Sequence, residues 1–149
     1  MADDSVFTMI IRGDLPGRFV WREDDVVAFL TIGPVQPGHT LVVPVAQVDR
    51  WTDVDPATWA RVTEVSQHVG RALDLAFGRA RVGVVVAGLE VPHCHVHLIP
   101  MDHESELSFA NVDLSPDPEA LDAHAARIRE ALRTLGHGDA VPADGAPEA

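Results

Sequence analysis

The sequence predicts an α+β protein, an antiparallel sheet of about five strands with two main helices packed on it. Three observations carry that reading. "RFVWR" and "VVAFL" are β-branched and aromatic, flank the acidic "EDD", and read as a hairpin. From Pro56 the apolar spacing changes to a helical period, with Trp59, Val62, Ser66, Val69, Leu73 and Ala76 in step. Most strand candidates are joined by links short enough for antiparallel neighbours.

Taken in order, "FTMIIRG" is a short apolar segment, a brief helix or the start of a strand, closed by the turn residues "GDLPG". The hairpin follows, with Asp24 and Asp25 as its turn chemistry. After the proline- and glycine-rich "IGPVQPGH" a third strand runs from Thr40 to about Val43. Trp51 and Trp59 flank "TDVDPAT" and pack the start of the long helix, which ends near Phe77 with Gly78 as its cap. "RVGVVVAG" and "HCHVHLIP" are the last two strands. "SPDPEALDAHAARIREALRTLG" is a helix over about 116–135, with Leu121, Ala125, Ile128, Leu132 and Leu135 on one face. Residues 1–135 form one domain, and 136–149, with no apolar pattern, a mobile tail.

Composition excludes some partners. A formal net charge of −12 argues against nucleic acid or an anionic membrane. No apolar run approaches the roughly 20 residues of a membrane span. The start "MADDSVFTMIIRGD" is acidic and lacks the apolar stretch of a secretory leader, so the expected location is the cytoplasm. The one cysteine, Cys94, cannot form an internal disulfide and fits a reducing compartment.

"LEVPHCHVHLIPM" sets His93, His95 and His97 at alternate positions between two prolines. On a strand these rings share one face at intervals of about 6.5–7 Å, with Cys94, Val96 and Leu98 turned into the core. Three readings compete. The rings are solvated surface groups, or they ligate a catalytic zinc. In the third, one neutral imidazole attacks phosphorus and carries the transferred group while its neighbours hold the phosphate and protonate the leaving group. Composition does not separate zinc from phosphorus.

The stretch "HCHVHLIP" resembles the His-x-His-x-His segment of the histidine triad (HIT) family of nucleotidyl hydrolases and transferases. "FTMIIRGDLPGRFVWREDDVVAFLTIGPVQPGHTLVVP" is similar to that family's N-terminal half, and "AGLEVPHCHVH" to its approach to the triad. The resemblance covers roughly residues 5–101 and leaves out the last helix and tail. It implies a nucleotide substrate, with His95 as the nucleophile that becomes nucleotidylated. His97 would contact the phosphate and assist the leaving group, His93 would orient the neighbouring ring, and His39 would stand beside the triad. The backbone at Gly88 would approach the phosphate, and Val6, Phe7, Ile10, Phe29 and Ile32 would line a base pocket. Neither metal nor other cofactor is implied. Homodimers joined through their sheets, with the long helix in the interface, are the expected assembly.

The departures from the family pattern surround the reaction centre. Ser5, Thr8 and Gln47 occupy the places where some members, together with the first triad histidine, bind a structural zinc. Hydroxyls and a carboxamide do not replace thiolates there. Thr31 stands where an aspartate accepts hydrogen bonds from ribose, and offers only an uncharged acceptor. Leu89 and Glu90 replace a glutamine and a small hydroxyl residue. A carboxylate beside phosphate is repulsive, so Glu90 turns away or the substrate carries a cation. His103 and Glu104 lie in a loop that is solvated or closes over the site, and His68 and His124 read as surface residues. Two alternatives stay open: a nucleotide-binding or regulatory module with little catalysis, and a zinc hydrolase.

Overall fold

The computed structural model describes residues 3–143. Strands β1 (Phe19–Arg22), β2 (Val26–Leu30), β3 (Thr40–Pro44), β4 (Arg81–Val85) and β5 (Val96–Met101) form one antiparallel sheet in the order β1-β2-β3-β5-β4. Helix α2 (Pro56–Phe77) carries the chain from β3 to the outer strand β4, and β5 returns between them. The expected five strands and two main helices, α2 and α3 (Pro118–Thr134), are all present. The open reading of "FTMIIRG" resolves as a helix, α1 (Val6–Arg12).

Each helix starts and stops for a local reason. Ser5 caps α1 by accepting from the Thr8 N–H at 3.0 Å, and Gly13 ends it in the left-handed region. Asp55 caps α2 through the Thr58 N–H, Pro56 fills the first helical position, and Gly78 closes the last turn. For α3 the cap is Asp117, two residues later than the Ser-Pro start expected.

Both faces of the sheet are covered, which explains why β2 and β3 are buried at every position instead of alternating. On one face α2 and α3 pack Val62, Val65, Val69, Leu73, Ile128 and Leu132 against Val20, Ala28, Val42, Val96 and Leu98. Each such side chain contributes about 1.5–3 kcal/mol by leaving water. The other face holds Phe7, Phe19, Val27, Phe29, Leu41 and Val43. Register partners Phe19–Phe29–Leu41–His97 cross four strands on this second face, so period 2 alone puts the His97 ring there and Val96 and Leu98 opposite.

Two expectations need correction. Residues 138–140 form a turn of 3-10 helix with Ala140 buried and Val141 packed on the main core, so this part of the expected tail is ordered by apolar contact. Residues 144–149 of that tail lie outside the described residues. His68 and His124 are half-buried: His68 stacks on Trp21 at 5.8 Å, and Phe77 meets His124 edge-on.

Candidate active site

The triad is only partly a strand. His93 and His95 precede β5, which begins at Val96. Pro92 has no N–H to donate, and the next amides leave the ladder: His93 N–H turns back to Val91 O at 2.8 Å, and Cys94 N–H reaches Val48 O at 2.7 Å. The rings therefore gather more closely than strand spacing allows. His95 and His97 centroids are 4.8 Å apart, and Phe7 of α1 meets the His95 ring edge-on at 4.8 Å and His93 at 5.9 Å. Cys94 is buried away from them, and burial pushes its thiol up to about 11, so it stays protonated.

Hydrogen bonding assigns every ring a tautomer. A carbonyl only accepts, so His93 Nε2, 2.7 Å from Pro44 O, carries a proton. The same logic puts a proton on His95 Nδ1, 2.7 Å from His93 O, and leaves the lone pair on Nε2, which no described residue engages. Val35 N–H donates to His39 Nδ1 at 3.1 Å, so the His39 proton is on Nε2 and points to His97 Nδ1 at 2.9 Å. His97, accepting through Nδ1, carries its proton on Nε2. Two adjacent rings thus present opposite chemistry, a lone pair on His95 and a donor on His97.

All four rings are held neutral. Burial, with smaller effects from His97 and His95, lowers His39 to about 3. Burial and then His95 lower His97 to about 4. Burial lowers His95 too, opposed by its bond to the His93 carbonyl and by the Glu90 charge, and lowers His93 against its bond to Pro44. A stability prediction follows from His39. Its unfolded form takes up a proton below about pH 6.5, the folded form only near 3. Its contribution is complete above the first value and is lost as pH falls through that window, by about 1.4 kcal/mol per pH unit. Urea midpoints measured from pH 7 down to about pH 5 should decline, and less steeply in His39→Gln. An identical slope in that variant rejects the assignment.

The loop before β3 positions His39. Gly38 has φ +88, and a Cβ there would lie 2.7 Å from the Phe77 ring, so glycine alone suits the position. The Thr40 hydroxyl donates to Gly38 O at 2.8 Å and fixes the turn.

The five residues expected at the base converge with Thr31, expected at the ribose. Val6, Phe7, Ile10, Phe29, Thr31 and Ile32 line one cavity of about 420 Å³ on the α1 face, whose wall is Phe7. Thr31 Oγ1 accepts the Gly33 N–H at 3.1 Å, so its hydroxyl proton remains to be donated. Gly88, with φ +80, sits elsewhere: it lines a cavity with Asp49, Arg50, Trp51, Leu89 and Pro92 that none of the four rings touches. Glu90 is exposed, beside Asp3, Asp4 and Asp49, and reaches His95 only through its charge.

The positions compared above with a zinc site also come together, but as a hydrogen-bonded set. Ser5 Oγ is 2.7 Å and Thr8 Oγ1 3.4 Å from His93 Nδ1, and Thr8 donates to Gln47 Oε1 at 2.7 Å. Hydroxyl and carboxamide donors bonded to one another do not fit zinc. Among the described residues no group of three or more His, Cys, Asp or Glu side chains is arranged to hold a metal ion.

Two contributors escaped the sequence reading. Phe109 packs on His97 at 4.8 Å and lies 6.5 Å from His39. It is carried by the loop after β5, where Arg79 bridges Asp102 and Glu106, and Glu106 in turn accepts the Asp102 and His103 amides. The loop thus reaches the triad through Phe109, with Glu106 and Arg79 anchoring its start; Glu104 is exposed there. The second is an ion pair at the cavity rim, Arg18 with Asp122 of α3 at 2.7 Å. Neither carried a sequence signal, since both depend on segments distant in the chain.

The sheet order, the ring cluster and the adjoining cavity define a histidine-triad protein of α+β fold. The chain belongs to the HIT family: the HIT domain pattern matches residues 12–104. It is 31% identical over 112 residues to the purine nucleoside phosphoramidase of Escherichia coli, covering 66% of this chain and 88% of the relative. It is 25% identical over 138 residues to an adenylylsulfatase of Arabidopsis thaliana, covering 89% and 70%. A zinc-bound histidine triad family protein from Mycobacterium smegmatis superposes with TM-score 0.76 at 27% identity, over 89% of this chain and 96% of that one.

Proposed function

We propose that this chain is a nucleotidyl hydrolase or transferase that forms a covalent intermediate on His95. The substrate is a nucleoside monophosphate ester, phosphoramidate, mixed anhydride or dinucleoside polyphosphate. The supporting observation is the opposed tautomers of two touching rings, beside an apolar cavity of about 420 Å³. His95 Nε2 attacks phosphorus, the bond to the leaving group breaks, and His97 Nε2–H supplies the leaving group's proton. Water or another acceptor then attacks phosphorus, gives its proton to His97, and breaks the phosphorus–nitrogen bond. His93 holds the His95 ring through its carbonyl, and His39 holds the His97 tautomer. Gly88 is kept as a phosphate-side residue only if its loop moves toward the rings.

Intact mass after rapid quenching with nucleoside phosphoramidates and dinucleoside polyphosphates tests this. An adduct of one nucleoside monophosphate is expected. Nucleotide binding by calorimetry with neither adduct nor turnover would instead support the binding-module alternative.

The reading extends to assembly and location. The working unit is one domain, acting in the cytoplasm on a small-molecule nucleotide, without nucleic acid or membrane partners. No helix among the described residues is long and apolar enough to cross a membrane. β4 is an unpaired edge with Val84 62% exposed, next to a groove lined by Trp59, Thr63, Gln67 and Gly70 of α2. A homodimer that pairs these edges about a two-fold axis covers both. Sedimentation should give a dimer mass that Val84→Asp reduces to a monomer; a wild-type monomer at tens of micromolar excludes it.

A further inference from the structure

We propose that Ser5 is a positioning residue for the reaction centre: its hydroxyl fixes the His93 ring, and through the His93 carbonyl the His95 ring, to the helix that walls the nucleotide cavity. The inference rests on the functional reading above for its kinetic consequence, but its structural part stands alone.

The distances assign the protons of the network: Ser5 Oγ lies 3.3 Å from Thr8 Oγ1 but 2.7 Å from His93 Nδ1, and the shorter contact takes its proton. His93 Nε2–H is committed to Pro44 O, so Nδ1 must accept. Gln47 Oε1 is an acceptor, already taking the Ser5 N–H at 2.8 Å, so the Thr8 hydroxyl at 2.7 Å gives its proton there and has none left for His93. Gln47 is oriented by its own amide, which donates to Asp3 O at 2.8 Å. Ser5 Oγ, 2.7 Å from His93 Nδ1, is therefore the donor, and its lone pair still accepts the Thr8 N–H as the cap of α1. Ser5 and His93 are both buried, at 4% and 0% exposure, so no bulk water substitutes for either partner.

The consequence is a coupling between two elements. Two residues after Ser5, Phe7 both walls the cavity and meets the His95 and His93 rings edge-on. Two residues after His93, His95 donates to the His93 carbonyl at 2.7 Å. A displacement of α1 by the occupant of the cavity is thus carried to His95 by Phe7 on one side and by Ser5–His93 on the other. Without the hydroxyl, His93 Nδ1 loses its donor, the ring is free to exchange tautomers, and the His93 carbonyl is less firmly placed.

Three variants separate positioning from helix capping. Ser5→Thr keeps cap and donor. Ser5→Gly removes the donor while costing the cap only a few tenths of a kcal/mol. Ser5→Ala removes both. With a nucleoside phosphoramidate, Ser5→Gly and Ser5→Ala should lose roughly 10- to 100-fold in kcat with KM within about 3-fold. Ser5→Thr should stay within about 3-fold of wild type. Wild-type turnover by Ser5→Gly, or losses that follow the urea midpoint across all three, overturns the proposal. Independently of activity, nitrogen-15 spectra should show His93 protonated on Nε2 in the wild type and in tautomeric exchange in Ser5→Gly. A wild-type His93 protonated on Nδ1 overturns it even if no substrate is found, whereas absence of any nucleotidyl adduct bears on the functional reading alone.

Discussion

Replacing His95 with alanine should abolish the nucleotidyl adduct and lower turnover by roughly 10⁴-fold or more, the scale seen when a covalent nucleophile is removed. The expectation follows from the vacant lone pair on Nε2, since no other side chain nearby can take its part. Cys94 is adjacent in sequence but buried and held as a thiol, and His97 has its Nδ1 lone pair occupied by His39. The variant also leaves the His93 carbonyl without its donor, at a stability cost of about 1–3 kcal/mol. Urea unfolding should confirm that the protein remains folded while the adduct is missing. Adduct formation with unchanged turnover in His95→Ala would refute the covalent reading outright.

The second large effect belongs to a residue outside the triad. His39→Phe preserves ring volume but removes both an acceptor and a donor. Val35 N–H, buried, is left without its partner, at about 1–3 kcal/mol. More important for catalysis, His97 Nδ1 no longer receives a proton, and the ring can carry its own there, leaving Nε2 unable to protonate the leaving group. The expected loss is about 10²-fold in kcat, the lower range for acid–base assistance. It should be smaller for substrates whose leaving group departs without protonation. His39→Gln can accept from Val35 through its carbonyl and donate to His97 through its amide, so it should recover much of the rate. Equal damage from Phe and Gln would mean that His39 serves packing and not the tautomer.

Much of this architecture was legible before any coordinates. The hairpin, the long helix and the strand after it are set by period and by turn chemistry within a few residues, and these are local properties. The His-x-His-x-His spacing pointed to the cluster of rings, and the substitutions at Ser5, Thr8 and Gln47 already argued against thiolate zinc. The misses have one character. Ala140 is buried although its surroundings look like tail, because the turn after α3 folds back onto that helix and the core it completes. Phe109 reads as a loop residue until Arg79 fixes that loop over the triad. The strand expected at His93 fails because the amides of His93 and Cys94 find acceptors outside the sheet.

The sequence by itself determined the elements, the face on which His97 stands and the residue types available for chemistry, because side-chain period and capping act over a few residues. Only the tertiary structure decided which nitrogen of His93 and of His97 carries the proton. That choice depends on the Pro44 carbonyl, the Ser5 hydroxyl and the His39 ring, brought to them from other elements of the fold. A tautomer is set by its hydrogen-bond partner, and no local pattern can name a partner some forty to ninety positions away.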